Sequence, residues 1–297
     1  MNIIPAAYSR SFLAMPILSE ITLYPIKSCA GISLRQAVLT RSGLMSEQVY
    51  DREWMVVDVD GQFLTQREYP RMALIVPRLK ASTLELRAPG MLRLEIELGL
   101  PDPVLAPTLE VQVWDDRFKA YDCDDVTATW FSRAIGVPCR LVRFHPDVLR
   151  PVSGKWTNGV AASAMFADGY PVLLAGAESL EDVNHKLLAA GRAALPMNRF
   201  RPNLVLSGTP AFEEDYTDFF QIGNTVLKPV KPCSRCPMPS VDQATGVPGP
   251  DPLEIMQSYR TKDVLDGAVC FGMNCIVTEG DDELIQVGQE VGAELAF

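Results

Sequence analysis

Histidine is scarce: the 297 residues include only His145 and His185. A His-rich metal site is excluded, and a Ser-His-Asp hydrolase would have to use one of these two. His185 lies in a helical stretch and His145 precedes Pro146, so neither sits in a hydrolase motif. Long apolar runs are also missing. Nothing approaches the roughly 18 residues of a membrane helix. The N-terminal stretch Phe12–Leu18 is short, interrupted by Pro16 and preceded only by Arg10. Residues 1–18 therefore read as a loose tail, not a signal peptide. Positive charge is in deficit: Lys and Arg total 27 against 37 Asp and Glu, a net charge of −10. That argues against a nucleic-acid binder, which needs a basic face, but leaves room for a small basic pocket.

Cysteine is present in an odd number, seven. A chain this long needs no staples, so a disulfide framework is not expected and a reducing, cytoplasmic setting is. Most of these thiols should be core residues. With 47% hydrophobic and 22% charged residues, the composition is that of a globular protein.

The first half reads as short strands about ten residues apart, which favours an antiparallel barrel or sandwich. Expected strands include Ile21–Tyr24, Met72–Val76, Thr83–Arg87, Leu92–Leu98, Thr108–Trp114 and Phe118–Asp122. Asp60-Gly61, between Trp54–Val59 and Gln62–Thr65, has the chemistry of a hairpin turn. Asp125–Ile135 reads as a helix capped by Asp124 and ended by Gly136. A strand at Arg140–Phe144 precedes a Pro- and Gly-bearing stretch, Pro146–Gly159, where a boundary is expected. In the second half a helix opens at Ser179 and stops at Gly191. A further helix starts at Asp251-Pro-Leu-Glu254, and strands are expected at Asn203–Ser207, Phe219–Ile222, Val226–Val230, Phe271–Thr278 and Leu284–Val287.

The most informative segment is Lys231-Pro-Cys-Ser-Arg-Cys-Pro-Met-Pro-Ser-Val-Asp242. Its Cys-x-x-Cys has three chemical readings: a redox pair beside Lys228, Lys231 and Arg235, half of a zinc site with Cys270 and Cys275, or one soft thiolate for a metal held mainly by an organic cofactor. Simple packing is the fourth. Asn198-Arg-Phe-Arg-Pro-Asn203, at a strand entrance, offers guanidinium forks and amides suited to an oxyanion. Tyr24-Pro-Ile-Lys-Ser-Cys29, Asp51-Arg-Glu-Trp54 and Thr65-Gln-Arg67 each put a cation or hydroxyl at a strand end, a pattern that fits a shared anion pocket. Ordinary surface pairing is the alternative.

Together these residues resemble the two-domain MOSC proteins, among them amidoxime-reducing components and bacterial reductases of N-hydroxylated purine analogues. Tyr24–Cys29 and Asp51–Trp54 look like the family's N-terminal β-barrel domain. Asn198–Asn203, Cys233-Ser-Arg-Cys236, Val241-Asp242, Thr245-Gly246 and Phe271-Gly-Met-Asn274 look like its MOSC domain. The resemblance runs from about residue 19 to the C-terminus. It implies a mainly β fold with a few helices: a tail over 1–18, an N-terminal β-barrel-like domain over 19–145 and a MOSC β-barrel domain over 146–297.

The resemblance further implies a molybdenum cofactor (molybdopterin), with Cys236 as molybdenum ligand and Asp242 as a catalytic-site acid close to the metal, relaying protons or holding a neighbouring backbone donor. Lys27, Ser28, Arg52, Arg201 and Asn203 would hold the pterin and its phosphate, with Thr65 and Arg67 nearby. The implied activity is reduction of small N-hydroxylated or N-oxide substrates. No ferredoxin-like Cys pattern precedes Phe297, so electrons are expected from a separate ferredoxin, flavodoxin-type protein or flavin reductase. No nucleic acid or membrane partner is implied. The rival is a sulfur or cofactor carrier without turnover. One departure stands out: Thr217 occupies the place of the family's usual Trp.

Overall fold

In the computed structural model, residues 15–102 and 105–296 are described. The fold is mainly β, as the sequence indicates. Among the described residues the strands form four sheets. The largest has nine strands. Its main path runs Ile32–Leu34, Ile17–Leu23, Leu204–Ser207, Val172–Gly176, Ala268–Glu279, Thr225–Ser234, Thr217–Ile222 and Val291–Leu295, and Thr261–Lys262 pairs beside Ala268–Glu279. Neighbours are antiparallel except Val172–Gly176 and Leu204–Ser207, which run parallel. The helix Ala177–Ala189 makes the crossover that a parallel pair requires.

A second sheet orders Thr108–Val113, Asp116–Asp122, Arg140–Phe144 and Trp54–Val57. A third orders Glu283–Gln286, Gln36–Thr40, Gly43–Ser46 and Val49–Tyr50, and the last holds Val76–Leu79, Thr83–Arg87 and Leu94–Glu97. Sequence halves and sheets do not coincide. The first strand lies in the sheet built mainly from the second half, against Leu204–Ser207. Glu283–Gln286, near the C-terminus, closes the sheet of Gln36–Thr40. One hydrophobic cluster therefore runs from Leu18 and Trp54 through Leu204 to Val291.

The helix Asp125–Ile135 has the expected bounds. Asp124 accepts the Thr127 N–H, and Gly136 ends the helix in the left-handed conformation at φ 98°. Gly61 turns as expected at φ 78°. A Cβ there would lie 2.3 Å from the Glu110 carbonyl oxygen, so the close approach also demands glycine. Gln62–Thr65, however, forms only isolated bridges, Phe63 to Val57 and Gln62 to Gln112, because Trp54–Val57 finds its full partner in Arg140–Phe144.

Three further expectations are corrected. Met72–Val76 is not a strand. Pro70 starts a 3-10 turn over Pro70–Leu74 that buries Met72 and Ala73, and the strand begins at Val76. The helix expected to open at Ser179 starts at Ala177, because the Ser179 hydroxyl donates to the Glu214 carboxylate instead of capping. The tail expected over residues 1–18 ends early: Ile17 and Leu18 are strand residues, and Leu18 is fully buried. Residues 1–14 lie outside the described residues. An apolar side chain alternating inward beside Leu206 belongs to the core whatever precedes it in the sequence. Leu18→Ala should therefore cost about 2–5 kcal/mol of unfolding free energy. Urea denaturation measures this, and a loss no larger than that of a surface substitution would return Leu18 to the tail.

Candidate functional site

A cleft lies where the nine-stranded sheet, the sheet that holds Trp54–Val57 and the Cys-bearing segment converge. Counting the part open to solvent, it encloses about 840 Å³. Lys27, Ser28, Arg52, Thr65, Arg67, Arg201, Asn203 and Cys236 all line it, so eight of the nine residues singled out in the sequence come together. They arrive from segments up to about two hundred positions apart. Cys233, Arg235, Asp168 and Tyr170 join them.

The cationic wall is built by buried hydrogen bonding. Lys27 is only 5% exposed. Its Nζ donates to Asp168 Oδ1 at 2.7 Å and to the Phe166 carbonyl at 2.8 Å. Burial pulls the Lys27 amine below the usual lysine range, and Asp168 counteracts that pull. Burial would raise the Asp168 carboxyl, but Lys27, Arg52 and the Trp114 indole N–H outweigh it and bring it down to about 2. The Asp168 side chain is nonetheless 69% accessible, because it projects into the cleft while protein surrounds the cleft walls. Arg150 fixes its loop, donating to the Met165, Ala167 and Asp168 carbonyls.

Arg52 and Arg201 lie over the ring of Tyr24, with guanidinium carbons 4.5 and 4.2 Å from its centroid. Arg52 pairs with the buried Asp51 carboxylate and donates to Asn203 Oδ1 at 3.1 Å. Asn203 is fully committed to protein partners. Its Nδ2 donates to Asp51 Oδ1 at 2.9 Å and to the Thr22 carbonyl, while its Oδ1 also accepts the Leu173 N–H. Its amide therefore holds the wall together, and the outward-facing donors belong to its neighbours. Burial pushes the Asp51 carboxyl up, with Arg52 opposing. Burial also lowers the Arg201 guanidinium from its ordinary value. Ser28, Arg52 and Arg201 share another property, left-handed backbones at φ 66°, 52° and 56°. Such conformations are costly for non-glycine residues and gather at functional sites.

The Cys-bearing segment supplies the opposite wall. Thr225–Ser234 runs through Pro229 and Pro232 and delivers Cys233 at its end. Arg235 then reaches back, donating from Nη1 to Cys233 Sγ at 3.1 Å and from Nη2 to the Phe200 carbonyl at 2.6 Å. Cys236 lines the cleft. No hydrogen bond to its sulfur is found among the described residues. The zinc alternative loses its second pair: Cys270 and Cys275 are buried, and their thiols face the Ala268 and Met273 carbonyls.

Asp242 stands outside the cleft lining. Its Oδ2 pairs with Arg199 at 2.7 Å, and its Oδ1 accepts from the Thr245 hydroxyl and the Thr245 and Ala244 N–H groups. The Thr245 hydrogen bonds hold it below the usual carboxylate range. This is the geometry of a turn organiser for the segment after Cys236. Thr217, in the place of the family's Trp, is a buried strand residue whose hydroxyl donates to the Glu213 carbonyl. Sequence reasoning missed Asp168, Tyr170 and Trp114. Asp168 and Tyr170 flank Gly169 in a loop with no motif of its own. Trp114 could have been noticed as a bulky aromatic at a hairpin tip.

Two comparisons with known proteins bear on this site. Residues 15–138 match the MOSC N-terminal beta barrel domain, and residues 161–292 match the MOSC domain. The chain belongs to the MOSC proteins. It is 35% identical over 252 residues to mitochondrial amidoxime reducing component 2 of Bos taurus, covering 83% of this chain and 73% of that protein. With human mitochondrial amidoxime-reducing component 1 it shares 32% over 263 residues, 87% of this chain and 76% of that one. The molybdenum cofactor sulfurase of Oryza sativa is 33% identical over 296 residues, 92% of this chain but 35% of the longer relative.

The donor set fits a phosphate-bearing organic group that carries a soft metal. Arg201 Nη2 and Tyr170 Oη are buried without a hydrogen-bond partner among the described residues, and both residues line the cleft. Guanidinium donors suit phosphate oxygens, and an unengaged thiol suits a transition metal. The division among the thiols can be checked directly. Alkylation of the native protein at pH 8, followed by peptide mass mapping, should modify Cys233 and Cys236. Cys29, fully buried with its thiol pushed up to about 12, should stay unmodified until unfolding.

Proposed function

We propose that this protein is a molybdenum-cofactor-binding oxidoreductase. It reduces N-hydroxylated or N-oxide substrates with electrons from a separate donor protein. The observation that carries this reading is Cys236, a thiol with no hydrogen bond among the described residues, in a cleft whose walls present Lys27, Arg52, Arg201 and Arg235. The names of the amidoxime-reducing relatives support it.

When bound, the cofactor supplies two-electron oxygen-transfer chemistry that no amino-acid side chain offers. The chain does the rest. Cys236 anchors the metal. Arg201 Nη2, buried and unpaired, and the remaining Lys27 donor neutralise the phosphate. Arg52 is held in place by Asp51 and Asn203, so binding need not order it. Tyr170 Oη offers a neutral donor at the same wall. Asp242 acts through structure, fixing the turn after the metal ligand.

A second reading has one observation of its own. Arg235 places a cation on a second cleft thiol, Cys233, and one relative is a molybdenum cofactor sulfurase. A sulfur or cofactor carrier without turnover would use that arrangement. Metal analysis of protein purified from a cofactor-competent host separates the roles. Cys236→Ser should lose nearly all its molybdenum, while Cys233→Ser keeps most of it. Wild-type protein should convert benzamidoxime to benzamidine with a reduced artificial donor. Full molybdenum in Cys236→Ser would sink the ligand assignment, and loaded wild-type protein with no turnover would favour the carrier.

A further inference from the structure

The excursion from Pro151 to Ser163 leaves and rejoins the fold at one point. Pro151 and Ser163 form an isolated bridge, and the Val152 N–H donates to the Ala162 carbonyl. Arg150 ties the start of the excursion to the Asp168 loop. Asn158 and Gly159 turn the chain with φ 50° and 82°. Lys155 and Trp156 sit on this excursion, between the stretches that match the two family domains. They are a feature of this chain and of neither domain pattern.

A strand residue joins them. The Lys155 and Lys231 Nζ atoms lie 5.3 and 5.6 Å from the centroid of the Trp156 ring. Neither ammonium has an ion-pair partner among the described residues, whereas Lys228, earlier on the same strand, pairs with Asp218. Lys231 is opposite Asn274, Asn274 is opposite Leu173, and both Asn274 and Leu173 line the cleft. Residues opposed across paired strands share a face, so Lys231 stands beside the cleft opening. Lys155, Trp156 and Lys231 do not line the cleft itself. Lys155 is exposed, and Trp156 and Lys231 are half-buried. Leu149 and Val160, 78% and 38% exposed, extend the patch with apolar surface. The result is an open basic and aromatic surface, shaped for a macromolecule and not for a small anion. In a chain of net charge −10, an acidic partner meets repulsion over most of the surface and attraction here.

We propose that the patch formed by Lys155, Trp156 and Lys231 docks the electron-donor protein, and that this donor presents an acidic face around its redox group. The inference rests on the reductase reading above and goes beyond it by naming the surface. Reduction of an N–OH group to N–H takes two electrons and two protons and releases water. The donor must bring its redox group close to the cleft opening, and a one-electron carrier must dock and leave twice per turnover. A small contact with a tryptophan between two lysines suits that cycle. Charge steers the encounter, the indole supplies an anchor, and the limited area lets the complex part again.

The test reads binding, not turnover. A plant-type ferredoxin and a flavodoxin, both acidic one-electron carriers, are titrated into the full-length protein by calorimetry at low ionic strength. Saturable binding of at least one is expected, weakened about tenfold or more by Lys155→Glu and by Lys231→Glu. Lys80→Glu makes the same charge change at the turn between Val76–Leu79 and Thr83–Arg87, and should alter affinity by less than about twofold. Since neither patch lysine is ion-paired among the described residues, both variants should melt within about 2 °C of wild type. Binding of neither carrier, binding unchanged in the patch variants, or an equal loss in Lys80→Glu would overturn the proposal. Phosphatidylserine vesicles bound through the same two lysines, with neither carrier bound, would assign the patch to a membrane surface and overturn it as well. The reductase reading fails separately, by absent molybdenum or absent benzamidoxime turnover with an artificial donor.

Discussion

The contact on which the cleft depends is the buried hydrogen bond between Asn203 Nδ2 and Asp51 Oδ1. Four stretches of chain meet there. The Tyr24 N–H reaches the same Asp51 oxygen, Arg52 pairs with the other, and the Thr22 carbonyl and Leu173 N–H take the remaining Asn203 valences. An isolated carboxylate at this depth would be costly to ionise. Here the guanidinium and three-way hydrogen bonding make it tolerable, and the result is directional. Arg52 can occupy one position, and Tyr24 is clamped between Arg52 and Arg201. Removing Asn203 would leave several buried polar groups without partners at once, which makes such networks all-or-none in character.

That network also explains how three left-handed residues survive side by side. Ser28, Arg52 and Arg201 each adopt backbones that cost on the order of 1–3 kcal/mol. The Arg52 N–H is fixed to the Tyr24 carbonyl, and its own carbonyl accepts the Phe166 N–H, so the strained peptide is held on both sides. The Ser28 carbonyl accepts from Gln66, which in turn is linked to Gln243 near the Cys-bearing segment. The strain turns polar groups toward the cleft that regular strands would have directed along the sheet. Preorganised donors do not have to be reordered when an anion arrives.

Much of this was legible in the sequence because much of it is local or chemically marked. The helix Asp125–Ile135 carries its own cap and stop, so its bounds follow from residues within the segment. The cleft cations were legible because Tyr24–Cys29, Asp51–Trp54 and Asn198–Asn203 resemble segments of a known family; their charge at strand ends alone fitted surface pairing equally well. What escaped was decided by distant partners. Ser179 looks like a cap and is instead claimed by Glu214, thirty-five positions away. Leu18 looks like the end of a tail until Leu204–Ser207 pairs beside it. Asp242 resembles a family acid placed near a metal, and its oxygens here are held by Arg199 and Thr245, forty-three and three positions away. Asp168 belongs to no motif, and its meaning comes from Lys27, 141 positions earlier.

The separation of the two cleft cysteines shows what a net charge of −10 conceals. Both thiols line the same cleft, and composition alone makes them equivalent. Arg235 breaks the equivalence by binding Cys233 through Nη1 while Nη2 is anchored on the Phe200 carbonyl. A guanidinium fixed at one end cannot follow both sulfurs, so Cys236 is left without a competing donor. An acidic surface surrounding a cleft that gathers Lys27, Arg52, Arg67, Arg201 and Arg235 concentrates positive potential at one place. An anionic ligand therefore meets attraction chiefly inside the cleft, beside Cys236, whose sulfur takes no hydrogen bond among the described residues.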